Sequence, residues 1–122
     1  LLPVGISNEL FDRGIVKAIP VNYVRGLTFK NSVVIVDEAQ NLTFSELTTI
    51  LTRFGENSKM IVVGDSRQSD INGKTGFNHM YNIFNDDLSE EEGIYCFKFT
   101  EADIVRSEIL KYIVGRLSEY KD

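Results

Sequence analysis

Two adjacent carboxylates at the end of an aliphatic run are the first residues in this sequence able to do chemistry. Val33-Val34-Ile35-Val36 runs directly into Asp37-Glu38-Ala39-Gln40. Four aliphatics without polar alternation mark a strand buried on both faces, and such a strand would present Asp37 and Glu38 at its carboxyl end. There, one carboxylate can anchor a divalent cation while its neighbour polarises a water. The plainer alternative is a strand running into an acidic turn. A second aliphatic run, residues 60–63, ends in Gly64-Asp65-Ser66-Arg67-Gln68. Gly64 lets backbone turn close to a ligand, and Gln68 is an uncharged donor and acceptor suited to a terminal phosphate or a water. Here the alternative is a strand-terminating turn. Ligands of open α/β sheets bind beyond the carboxyl ends of the strands, so two polar strand ends side by side support one another.

The elements that must position these residues alternate between strand and helix. Besides 33–36 and 60–63, short β-type runs occur at 15–19, closed by Pro20, and at 94–99. Thr43-Phe44-Ser45-Glu46 has the spacing of a capping box, flanked by Leu42 and Leu47 as a hydrophobic staple. Phe44, Leu47, Leu51 and Phe54 follow at helical spacing, with Gly55 as the stop. Residues 76–84 predict a shorter helix. Thr100-Glu101-Ala102-Asp103 opens a last helix in which Val105, Ile109, Ile113 and Leu117 step along a buried side. The order β, β, α, β, α, β, α predicts an α/β protein with a parallel sheet covered by helices.

The 122 residues allow one domain. The formal net charge of −5 is local: Asp86, Asp87, Glu90, Glu91 and Glu92 account for it, and the rest of the chain holds 13 acids and 13 bases. That acidic run reads as a solvated loop, with an acidic docking patch as the alternative. Charge therefore neither supports nor excludes a polyanionic partner. One cysteine, Cys96, excludes an internal disulfide, and one histidine, His79, argues against a zinc site. Cys96 lies in the apolar Tyr95-Cys96-Phe97 and reads as a buried structural thiol. No apolar stretch approaches the roughly 20 residues of a membrane span, and the start has no charged flank like that of a signal peptide; the expected location is the cytosol.

The Asp37-Glu38 strand end has the arrangement of the Walker B motif of P-loop ATPases. Asp-Glu-Ala-Gln at 37–40 followed by Gly-Asp-x-x-Gln at 64–68 resembles motifs II and III of superfamily 1 helicases. Pro20-Val21-Asn22-Tyr23-Val24-Arg25-Gly26-Leu27-Thr28, Asp37-Glu38-Ala39-Gln40-Asn41, Leu51-Thr52-Arg53-Phe54-Gly55, Ser58-Lys59-Met60 and Asp103-Ile104-Val105-Arg106 are similar to segments of PhoH-like proteins, in the family's order. The resemblance spans about residues 14–114. It implies a three-layer P-loop NTPase (RecA/helicase-like) parallel sheet and hydrolysis of ATP with Mg2+. Carried over residue by residue, Asp37 is the magnesium-organising carboxylate, Glu38 the catalytic one and Gln68 the γ-phosphate sensor. Gln40, Gly64 and Asp65 fall at the nucleotide. Arg25, Arg53 and Arg106 fall in family motifs and could neutralise phosphate charge within a subunit or across a ring of subunits; each could equally be a surface or helix-end arginine. Tyr23 could stack on a base or simply pack. The resemblance further implies RNA or single-stranded nucleic acid as a partner, and a homo-oligomeric ring. A non-catalytic remnant serving as a binding or assembly module is the alternative.

One departure stands out. The family's phosphate-binding Gly-x-x-x-x-Gly-Lys-Ser/Thr does not occur in these residues. The only Gly-Lys-Thr is Gly73-Lys74-Thr75, and Gln68 stands where the first glycine belongs. A phosphate cradle needs successive backbone N–H groups from a glycine-rich turn leading into a helix, so this tripeptide reads as a plain loop. In the strand order 5-1-4-3-2, residues 15–19, 33–36, 60–63 and 94–99 map to strands 2, 3, 4 and 5. Strand 1, which carries the P-loop, would lie in the middle of the sheet. Its absence would leave buried strand edges unpaired, at about 1–3 kcal/mol for each orphaned group. The chain also begins with Leu1 rather than Met. The expectation is a single domain over 1–122 that is the C-terminal portion of a PhoH-like ATPase domain, inactive on its own.

Overall fold

A computed structural model describes residues 2–65, 76–103 and 105–120. In chain order these form α1 (Val4–Asp12), a 3₁₀ turn (Val21–Tyr23), β1 (Val33–Val36), a second 3₁₀ turn (Ala39–Asn41), α2 (Phe44–Leu51), β2 (Lys59–Val62), α3 (Gly76–Phe84), α4 (Asp87–Glu91), a third 3₁₀ turn (Glu101–Asp103) and α5 (Glu108–Glu119). The protein is α/β, and among the described residues its sheet has two parallel strands, β1 and β2.

β-Branched side chains make up all of β1, and their restricted rotamers favour extended backbone. β1 and β2 pair from Val33 with Lys59 through to Val36 with Val62. The ladder reaches past both ends: Lys59 N–H donates to Ser32 O at 3.0 Å and Val63 N–H to Val36 O at 2.9 Å. Upstream, Phe29 N–H donates to Arg53 O at 2.8 Å, and the backbone passes close to Gly55. A Cβ on Gly55 would collide with Phe29 O and Thr28 Cγ2. This glycine is needed for close approach of two chain segments, not as the left-handed helix stop that its position predicts.

α2 connects the two strands and begins as its sequence predicts. Glu46 N–H donates to Thr43 Oγ1 at 3.2 Å, and Thr43 N–H donates to Glu46 Oε2 at 2.8 Å, closing the capping box. A cap of this kind contributes about 1 kcal/mol. Leu47 and Ile50 are the buried residues of α2; Phe44 and Phe54, placed by spacing on its apolar face, are exposed. Leu47 and Ile50 form the core with Val24, Val36 and Ala39, and Val34, Leu42, Met60, Val62, Phe77 and Met80 pack against it. α3, over the predicted bounds, packs on α2, with the Phe44 and His79 rings 4.9 Å apart.

Burial on both faces of β1 is corrected. Val34 and Val36 face the core, whereas Val33 and Ile35 are 66% and 65% exposed; across the ladder Ile61 and Val63 are 51% and 48% exposed. Successive strand residues point to opposite faces, so one face of the sheet is packed and the other is bare.

The four-strand expectation is also corrected, because residues 15–19 and 94–99 form no strand. The N–H groups of Ile15 and Val16 both donate to Leu10 O, at 2.9 and 3.2 Å, and so close the end of α1 instead of entering a ladder. Ile94 N–H donates to Ser89 O at 2.8 Å, finishing α4 through Gly93 at φ +87°. In both runs a helix terminus takes the first backbone donors.

The acidic run is partly a helix rather than a loop. Asp86 accepts from Ser89 N–H at 2.8 Å and caps α4, where Asp87 and Glu90 lie near the positive end of the helix dipole. Hydrogen bonds from the Ser89 side chain and from its backbone N–H hold the Asp86 carboxyl below its ordinary pKa. The final helix starts later than predicted, with Ser107 as its cap. Asp103 Oδ2 instead accepts from Thr100 N–H at 2.7 Å, closing the short 3₁₀ turn. Val105, Ile109, Ile113 and Leu117, predicted to be buried, are exposed. Cys96 is half-buried rather than buried, its Sγ 3.8 Å from Tyr81 O.

Candidate functional site

The ends of β1 and β2 lie together because the strands are parallel and in register. β1 ends at the buried Val36, and the next two residues, Asp37 and Glu38, are exposed. Asp37 Oδ1 accepts from Glu38 N–H at 2.9 Å. Glu38 then takes a left-handed backbone conformation, φ +53° and ψ +40°. That region costs a non-glycine residue on the order of 1 kcal/mol or more and persists only where surrounding structure holds it. The turn it starts sends Ala39 and Gln40 straight into the protein, at 0% and 2% exposure. Ala39 N–H donates to Val63 O at 2.9 Å and ties the turn to the end of β2.

Gln40 faces both strand ends at once. Its Nε2 donates to Glu38 Oε2, and its Oε1 accepts from Asp65 N–H at 3.0 Å. Gly64 sits against this amide: a Cβ there would lie 3.1 Å from Gln40 N, from Gln40 Oε1 and from Phe77 Cδ1. Hydrogen means this close approach is made without displacing a neighbour. Asp37, Glu38, Gln40, Val63, Gly64 and Asp65 line a solvent-open hollow of about 210 Å³.

Among the described residues, three carboxylates and no cationic side chain line that hollow. Carboxylates of this kind attract cations. This donor set fits magnesium, which keeps several waters and needs only one or two protein carboxylates beside phosphate oxygens. Asp37 suits the role, because the Glu38 amide occupies its Oδ1 and leaves Oδ2 for a metal.

The structure brings together Asp37, Glu38, Gln40, Gly64 and Asp65, and none of Arg25, Arg53 and Arg106 lines their hollow. Arg25 lines a different hollow, of about 310 Å³, with Val21, Asn22, Ser45, Glu46 and Thr49. Arg53 Nε donates to Thr49 O at 3.3 Å, a bond to the carboxyl-terminal carbonyls of α2. Arg106 is half-buried just before α5. Tyr23 is exposed. Gln68 and Gly73-Lys74-Thr75 lie outside the described residues. Spacing alone does not reveal that Gln40 is buried and joins the two strand ends. Its sequence signal is its place in Asp37-Glu38-Ala39-Gln40, which the resemblance puts at the nucleotide and the structure buries.

Comparison with known proteins bears on this geometry. The family model described as PhoH-like protein matches residues 2–118. The chain belongs to the PhoH-like family. It is 41% identical over 108 residues to a PhoH-like protein of Synechocystis, covering 87% of this chain and 32% of that protein. It is 40% identical over 98 residues to Protein PhoH of Escherichia coli K12, covering 79% and 27%. A PhoH-like protein of Bacillus subtilis is 34% identical over 108 residues, with 88% and 33% covered. The chain thus spans about a third of the length of the curated relatives it matches. The match extends beyond the segments at 14–114 that carry the resemblance and takes in α1.

Proposed function

We propose that this chain supplies the carboxylate half of an ATP-hydrolysing site in a P-loop NTPase of the PhoH-like family. One observation carries the reading: Asp37 and Glu38 meet Gly64 and Asp65 around an open hollow at the carboxyl ends of two adjacent parallel strands. Gln40 engages Oε2 of Glu38, so Oε1 is available to orient a water for in-line attack on the γ-phosphate. Asp37 would hold magnesium, which when bound offsets phosphate charge. Gly64 lets the Gln40 amide pack against the end of β2, and Gln68 would contact the γ-phosphate. Arg25 and Arg106 are candidates to contact phosphate from the same or a neighbouring subunit of a ring. Arg53, bound to the Thr49 carbonyl, is the weakest of the three. The nucleic-acid partner, RNA or a single strand, is proposed on family grounds alone. Among the described residues no helix is long and apolar enough to cross a membrane, in keeping with the proposed cytosolic setting.

The test compares steady-state ATPase rate with nucleotide affinity in a full-length protein that carries these residues. Glu38→Gln keeps shape but removes charge, and is expected to bind nucleotide while turnover falls about a hundredfold or more. Asp37→Ala is expected to weaken magnesium-dependent nucleotide binding. Lys74→Ala is expected to change neither. Parental turnover in Glu38→Gln, or loss of binding in Lys74→Ala, would overturn the assignment. Absence of any nucleotide binding by the parent would favour the non-catalytic module.

A further inference from the structure

We infer that Gln40 is a positioning residue that sets the Glu38 carboxylate and couples it to the backbone after β2; the inference rests on the ATPase reading above. Gln40 is 2% exposed, and its amide has two neighbours of opposite need. A carboxylate oxygen of Glu38 accepts from its Nε2, and the Asp65 N–H donates to its Oε1. The glutamine amide offers a donor and an acceptor in one plane, one for each neighbour. Each bond has a separate consequence. The Glu38 bond fixes a side chain whose backbone already sits in the left-handed region, so it restrains the carboxylate and leaves its other oxygen for water. The Asp65 bond joins that carboxylate to the segment leading from β2 towards Gln68. A shift of the Asp65 amide therefore reaches Glu38 through one rigid planar group, with Gly64 packed against it at hypothetical Cβ distances of 3.1 Å. Gln40 contacts no substrate in this scheme. It acts by holding Glu38.

Two variants in the full-length protein separate the bonds. Gln40→Met fills a similar volume without either hydrogen bond. Gln40→Glu keeps an acceptor for Asp65 N–H and, at a pH high enough to ionise the new carboxyl, loses the donor to Glu38. The measurements are kcat and KM for ATP, melting temperature, and amide hydrogen exchange at Asp65. Positioning predicts that Gln40→Met loses tenfold or more in kcat with KM within about threefold, and that Asp65 exchange accelerates about tenfold or more. Gln40→Glu keeps Asp65 protected and yet loses tenfold or more in kcat. A Gln40→Met protein that melts like its parent and turns over at the parental rate would overturn the inference. If Gln40→Met does not fold, parental kcat in Gln40→Glu overturns it instead. Losses in kcat and KM that only track a lowered melting temperature would assign Gln40 a purely structural role and would also overturn it. Glu38→Gln is the control: parental turnover there defeats the ATPase reading itself, whereas its loss beside an unaffected Gln40 pair defeats only the positioning role.

Discussion

The two faces of the β1–β2 sheet are built from the same residue types and meet opposite fates. Val34, Val36, Met60 and Val62 point into a core shared with Leu47 and Ile50 of α2. Val33, Ile35, Ile61 and Val63 point to solvent. Hydrophobicity alone therefore does not say which side of a strand is packed. What separates the faces is α2: its capping box and its Leu47–Ile50 side lie on one of them. The functional consequence is at the strand ends, because the packed side carries Ala39 and Gln40 inward while Asp37 and Glu38 stay exposed.

The largest expected difference between the faces comes from truncating one residue on each side of it. Leu47→Ala is expected to lower stability by about 2–5 kcal/mol, because a fully buried side chain leaves a cavity. The readout is the urea midpoint. Thr43→Ala, which removes the cap that starts α2, is expected to cost about 1 kcal/mol by the same measurement. Ile35→Thr, on the bare face, is expected to stay within about 0.5 kcal/mol. If Ile35→Thr costs as much as Leu47→Ala, the bare face is covered in solution and the contrast fails.

Two smaller effects test the region beyond the sheet. Hydrogen bonds from Ser89 lower the Asp86 pKa from its ordinary 3.8. A lowered folded-state pKa contributes stability that is present above the unfolded value and is lost as pH falls through the folded one. Acidification below about 3.8 should thus fray α4 first, seen as faster exchange at the Ser89 amide, while amides of β1 remain protected. Simultaneous loss of both would show that α4 is coupled to the core. Burial, helped by the charges of Asp86 and Glu90, pushes the Cys96 thiol above its ordinary pKa. Alkylation at neutral pH is expected to be a few-fold slower in the native protein than in urea; equal rates would mean that the Cys96 segment is fully open.

Much of the site was legible in advance. The aliphatic runs located β1 and β2, the Thr43–Glu46 spacing located the start of α2, and Asp37, Glu38, Gly64 and Asp65 stood out by their place after those runs. Residues 15–19 and 94–99 have β-type composition, but a strand also needs a partner for its N–H groups, and helix ends take the first of them. Val105, Ile109, Ile113 and Leu117 are exposed for a related reason. Their spacing describes an apolar stripe, and a stripe is buried only where another element covers it.

The sequence by itself determined the local units: which residues favour extended backbone, where α2 is capped, and which side chains at the strand ends carry charge. These depend on neighbours within a few positions, through rotamer restriction and short-range hydrogen bonds. Tertiary structure alone decided that one sheet face is packed, that Glu38 turns left-handed, and that Gln40 spans from Glu38 to Asp65, 25 residues apart along the chain from Gln40 itself. The physical reason is that burial and long-range hydrogen bonds are properties of pairs. Neither partner's sequence context specifies the other until the strands lie side by side.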